Sequence, residues 1–151
     1  MEDKMESGKV SAISGSEWEV MRVIWTLKNV TSHQLVEIMQ QKRQWSVSTV
    51  KTLLSRLVAK KMLATRKDGR QFVYQPLVTE MFAMSQTSLA LFQDMCAMKV
   101  GKALLADIKE LTLSKNDIDD LMQMLQAKRK TAPSEIACNC LPREHCCEGE
   151  Q

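Results

Sequence analysis

A mainly α fold is predicted for this chain. Three short helices and a β-hairpin form an N-terminal winged helix, a helical dimerisation region follows, and a flexible Cys-rich tail ends the chain. Three observations predict it. Helix-capping pairs open apolar periodicities between residues 14 and 61. The period then switches to alternation around Asp68-Gly69, a hairpin signal, before Pro76. Four of the five cysteines fall in the last fourteen of 151 residues. The segments implied are a flexible leader over 1–12, a winged domain over 13–76, helices over 79–130 and a tail over 131–151.

The first helix opens at Ser14, with Glu17 three residues on as a capping box. Val20, Val23, Ile24 and Leu27 stripe it, Trp18, Met21 and Trp25 widen that face, and it ends near Lys28. Thr31 with Gln34 repeats the cap, and a second helix runs to about Lys42, with His33 in a solvated first turn. The third starts after Ser46 and runs to about Lys61. It buries Val50, Leu53, Leu54, Leu57 and Val58, and leaves Lys60 and Lys61 solvated at its far end.

Residues 62–65 and 71–75 are the two wing strands. A long helix is expected from Thr79 to Val100, with Cys96 as a small buried residue on its apolar stripe and Met81, Met84, Met95 and Met98 as core rather than ligands. Gly101 breaks it. A short helix over Ala103–Leu111 follows, and Ser114 with Asp117 caps a last one. These three helices make a thin core alone, so two copies are expected to share it through Phe82, Leu89, Phe92, Leu121 and Leu125.

Charge is uneven. The formal net charge is +3, yet residues 28–75 hold ten Lys/Arg against Glu37 and Asp68. A basic reader suggests nucleic acid. The second helix, the turn Arg43-Gln44-Trp45 and the third helix make a helix-turn-helix, whose recognition helix enters the major groove N-terminal end first. Ser46, Ser48, Thr49 and Thr52 are short enough for the backbone to approach DNA closely, and Lys51 and Arg56 reach phosphates or guanine. Arg66, Lys67 and Arg70 at the wing add phosphate or minor-groove contacts. No enzyme is expected: the chain has two histidines, no nucleophile triad, no paired carboxylates and no phosphate-binding glycine loop. No apolar run approaches the roughly 18–20 residues of a membrane span, and MEDKMESGKV is no secretory signal. A cytoplasmic protein follows, whose cysteines point to metal rather than disulfides.

Residues 13–21 (ISGSEWEVM), Ile24-Trp25, residues 45–54 (WSVSTVKTLL), Arg56-Leu57, Gly69-Arg70 and Phe72-Val73-Tyr74 resemble the penicillinase-repressor (BlaI/MecI) winged-helix family of bacterial dimeric repressors. The resemblance implies operator double-stranded DNA, a pseudo-palindrome, as partner. It places Ser48, Thr49, Thr52 and Arg56 on that operator and Arg70 at the wing. One branch of the family answers β-lactams through proteolysis; another answers copper and carries a cysteine tail.

Cys138, Cys140, Cys146 and Cys147 lie within ten residues, a spacing at which thiolates converge on one ion. Zn(II) takes four S or N ligands tetrahedrally, whereas Cu(I) takes fewer and softer ones. The tail resembles the CxC, four residues, CxC of the copper-responsive branch, with His145 on one cysteine position and Cys146 on a spacer position. His145 or Cys146 therefore completes a zinc site. The expected function is a copper-responsive transcriptional repressor. Zn(II) accompanies the DNA-bound homodimer, Cu(I) is the inducer, and a small copper chaperone is a further partner implied by resemblance. The alternatives are a same-fold repressor answering β-lactam-triggered proteolysis and a copper-buffering protein.

Overall fold

A computed structural model describes residues 12–142. The chain divides into two compact units, Met1–Leu89 and Ala90–Gln151.

In the first unit, α1 (Gly15–Leu27) opens on the expected capping box: the Glu17 N–H donates to Ser14 Oγ and the Ser14 N–H to the Glu17 carboxylate. The Thr31–Gln34 box opens α2 (Ser32–Arg43), and Ser46 Oγ caps α3 (Val47–Ala59) by accepting from the Thr49 N–H. Gln44 ends α2 in the left-handed region at φ 57, its N–H bonded to Gln40 O. That sharp reversal leaves only Gln44, Trp45 and Ser46 between α2 and α3.

The wing strands are β2 (Leu63–Asp68) and β3 (Gln71–Pro76), antiparallel from Leu63↔Pro76 to Asp68↔Gln71. Gly69 takes φ +61 in the two-residue turn, a conformation side chains disfavour. The sequence reading missed one strand, β1 (Val30–Thr31). It pairs antiparallel with β3 and puts β3 in the middle of a three-stranded sheet.

The core joins Val20, Met21, Ile24, Leu35, Met39, Val50, Leu54, Leu57, Met62 and Leu63, all essentially inaccessible. Trp25 closes it, and its indole N–H donates to Val78 O at 2.9 Å, fastening the segment that leaves the wing. Lys60, expected to be solvated, instead pairs with the buried Glu17 carboxylate at 2.6 Å and donates to Ala12 O. Its long stem reaches back from the C-terminus of α3 to the start of α1 and neutralises a charge that burial would otherwise penalise.

The long helix expected over 79–100 is two pieces. α4 (Glu80–Gln93) stops where the Asp94 N–H bonds to Ala90 O and Leu91 O. Cys96 is extended, at φ −57 and ψ 119, and precedes a 3-10 turn over Ala97–Lys99. Gly101, expected to break the helix, is the second residue of α5 (Val100–Glu110). It stands in the first turn of the helix, where glycine costs less than in a helix interior. α6 (Lys115–Arg129) opens on the expected Ser114–Asp117 capping box. Neither α5 nor α6 buries a single residue.

Candidate nucleic-acid interface and metal centre

The α3 periodicity separates two faces. Val50, Leu53, Leu54 and Leu57 are buried, while Ser46, Ser48, Thr49, Lys51, Thr52 and Arg56 are exposed. The hydroxyls are ordered among themselves. Ser46 Oγ lies 2.9 Å from both Ser48 Oγ and Thr49 Oγ1, and Thr52 Oγ1 donates to Ser48 O at 2.9 Å. Back-bonding of this kind occupies the Thr52 hydroxyl proton within the helix.

A shallow groove brings Ser48, Thr49, Thr52 and Arg56 together with Trp45, Ser14 and Ser16. Lys51 lies elsewhere, in a depression with Ser32, His33, Val36 and Glu37. Ser14 and Ser16 were missed as groove residues by the sequence reading. Only the packing of α1 against α3 brings the start of α1 beside the recognition helix, and no local pattern encodes that. Arg66, Lys67 and Arg70 are all exposed on the wing, with Arg66 opposite Val73, Lys67 opposite Phe72 and Arg70 in the turn.

Ion pairing sorts the basic cluster. Glu19 takes Arg43 at 2.5 Å and Lys42 at 3.1 Å, and Glu17 takes Lys60. Arg43 and Lys42 hold the Glu19 carboxyl down to about 2. His33 faces Glu37 at 3.7 Å on the exposed side of α2. Among the described residues, Lys51, Arg56, Arg66, Lys67 and Arg70 make no ion pair within 4.0 Å. The cations predicted to meet DNA are thus among those left without a carboxylate at ion-pair distance.

In the second unit, the Sγ atoms of Cys96, Cys138 and Cys140 all lie within 4.8 Å of one another. Cys96 Sγ is 3.7 Å from Cys138 Sγ, and the Cys140 N–H donates to Cys138 Sγ at 3.4 Å. All three are thiols. Hydrogen bonding to Cys138 and then to Cys96 pushes the Cys140 thiol up to about 12. Three thiols this close resist ionisation together unless a cation offsets the charge.

Cys96 was expected in the apolar core. It is half-buried at the helix break instead, because the break turns its side chain off the α4 stripe. His145, Cys146 and Cys147 lie outside the described residues.

Of the residues expected to build a dimer, Phe82 and Phe92 are half-buried, and Leu89, Leu121 and Leu125 are exposed. In the single chain the methionines expected as core lie outside the buried cluster. Met81, Met84 and Met98 are exposed and Met95 is half-buried. No helix among the described residues is long and apolar enough to cross a membrane.

The sequence profile described as "Penicillinase repressor" matches residues 13–127. An "Uncharacterized 16.5 kDa protein in ptsI 3'region" of Latilactobacillus sakei is 48% identical over 139 residues, 92% of this chain and 95% of the relative. The "Methicillin resistance regulatory protein MecI" of Mammaliicoccus sciuri is 32% identical over 80% of this chain and 98% of its own length. A solved chain titled "CopR Repressor Structure" is 48% identical, covers 44% of this chain and 96% of its own, and superposes with a TM-score of 0.39.

Proposed function

Because this chain belongs to the penicillinase repressor family of DNA-binding transcriptional repressors, we propose that it is the copper-responsive kind, a cytoplasmic homodimer that represses a copper-homeostasis operon. The observation that carries this reading is the convergence of three thiols in the unit that follows the winged helix. Three sulfurs within 4.8 Å suit a soft, thiophilic ion better than a hard one.

The winged helix supplies the DNA contacts. The hydroxyl face of α3 sits in the major groove, where Ser48, Thr49 and Thr52 approach base edges and thymine methyls, Ser46 and Lys51 approach phosphates, and Arg56 approaches phosphate or guanine. Arg66, Lys67 and Arg70 hold the flanking backbone. Two such heads on one dimer read a pseudo-palindrome, so affinity depends on how the dimer spaces them.

Cys138 and Cys140 would hold the ion: Zn(II) in the DNA-bound form, with Cu(I), delivered by a small copper chaperone, as the inducing ligand in its place. The ion supplies a change in the number and arrangement of thiolates drawn together. The chain answers that change with a different spacing of its heads. Release follows only as far as Cu(I) prefers the DNA-free form.

A mobility-shift titration with a pseudo-palindromic operator from a copper-export promoter tests the reading. Zn(II) should preserve the complex and Cu(I) should dissolve it. Induction left unchanged by deletion of residues 131–151 would point to a signal other than the tail's metal, such as β-lactam-triggered proteolysis. The lack of any salt-dependent, sequence-specific complex would leave only copper buffering.

A further inference from the structure

We propose that Cys96 is a metal ligand, completing with Cys138 and Cys140 a three-thiolate site for a soft cation of the Cu(I) class that anchors the tail to the helix break after α4. Two independent features meet there. The first is the sulfurs: Cys96 and Cys138 are 3.7 Å apart and all three thiols fall within 4.8 Å. Metal–sulfur bonds of about 2.3 Å place the sulfurs of a three-coordinate ion roughly 4 Å apart. A disulfide would need them at about 2 Å. The thiols stand at the separation for sharing an ion.

The second feature is the docking of the tail backbone. Asn139, between the two tail cysteines, accepts from the Ala97 N–H through its Oδ1 at 2.8 Å. That N–H lies at the start of the 3-10 turn, where no intrahelical acceptor exists and where Cys96 offers no side-chain cap. The Cys-Asn-Cys segment is therefore seated by its middle residue, which directs both flanking thiols toward Cys96. The helix break has a matching purpose. It takes Cys96 off the α4 stripe, and the Lys99 N–H to Cys96 O bond at 2.9 Å holds the new direction.

Loading is a proton exchange without redox change. Each thiol that coordinates gives its proton to water, so one Cu(I) bound by three thiols releases three protons. Asn139 touches no ion and acts as a positioning residue.

The inference rests on the copper reading above only for the identity of the ion. The test uses the full chain carrying Cys146→Ser and Cys147→Ser, kept anaerobic, with Cu(I) as the probe. X-ray absorption counts sulfurs, and competition with a chromophoric Cu(I) chelator gives affinity. Three sulfurs per Cu(I) are expected. Cys96→Ser should lower the count to two and the affinity at least tenfold, with the metal-free circular dichroism and melting curve unchanged. Asn139→Ala should keep three sulfurs and loosen the affinity severalfold.

Two sulfurs in the parent, or a count and affinity that Cys96→Ser does not move, overturns the proposal. If Cys96→Ser alters the metal-free fold, Cys96→Ala is measured by the same sulfur count, and three sulfurs there overturn it equally. A parent that binds Cu(I) through three sulfurs while wild-type protein keeps its operator under Cu(I) upholds the site and rejects the copper response.

Discussion

Glu17 closes the cap of α1 with one carboxylate oxygen, accepting from the Ser14 N–H at 2.9 Å, and accepts from Lys60 at 2.6 Å on the same atom. Burial pushes its pKa up, but the bonds from Lys60 and Ser14 outweigh burial and the net shift is downward. Glu19, gripped by Arg43 and Lys42, is lowered further, to about 2. Both carboxyls thus have folded values below their unfolded ones. Their stabilisation is complete above the unfolded carboxylate value of about 4.3 and fades as pH falls through the folded values. The melting temperature should be level near neutrality and drop below roughly pH 4. Glu17→Gln, which leaves Lys60 facing a neutral amide, should cost about 2 kcal/mol at neutral pH and flatten part of the acid limb. Denaturant melts across pH check this, and an acid limb identical to that of wild type would contradict it.

The α3 helix carries the same test to the level of an element, because its two faces answer different assays. Arg56→Ala should weaken operator binding, reduce the slope of log affinity against log salt by about one, and shift stability by no more than about 0.5 kcal/mol. Leu57→Ala, on the buried face, should cost about 2–5 kcal/mol. Fluorescence anisotropy over a salt series, beside thermal melts, separates the two. An Arg56→Ala protein with unchanged salt slope would remove Arg56 from the DNA face.

The elements of the first unit were legible because their signals are local. Ser14–Glu17, Thr31–Gln34 and Ser46 mark helix starts within four residues, and Gly69 marks a turn that needs positive φ. The strand β1 was not legible, since two residues have no period. The end of α4 was misplaced because Gly101 is the stronger local breaker, while the actual stop at Asp94 has no glycine or proline to announce it. Most of the groove lining, Ser48, Thr49, Thr52 and Arg56, was legible from the exposed side of α3. Cys96 was not, because Cys138, the nearer of its partners in sequence, lies 42 residues away.

On the scale of the whole molecule, the second unit poses a problem of burial. Its helices α5 and α6 bury no residue, and Ile118, Leu121, Met122, Met124 and Leu125 stand exposed along α6. An amphipathic helix with so much apolar surface in water gains stability chiefly from packing. A second copy of the chain supplies that packing under the proposed function. Leu121→Lys with Leu125→Lys should convert a dimer to monomers in sedimentation equilibrium, and operator affinity should fall because two half-sites no longer bind as one. A double variant that stays dimeric would place the interface elsewhere.

The meeting of Cys96 with Cys138 also has a meaning in polymer terms. A bond across that gap, whether through an ion or between the sulfurs, turns the chain from residue 96 to residue 138 into a closed ring containing all of α5 and α6. Closing a ring of that length removes roughly 4 kcal/mol of unfolded-chain entropy by the cross-link estimate. Two helices without a core of their own would draw part of their order from topology, and that order would come and go with whatever occupies the sulfurs.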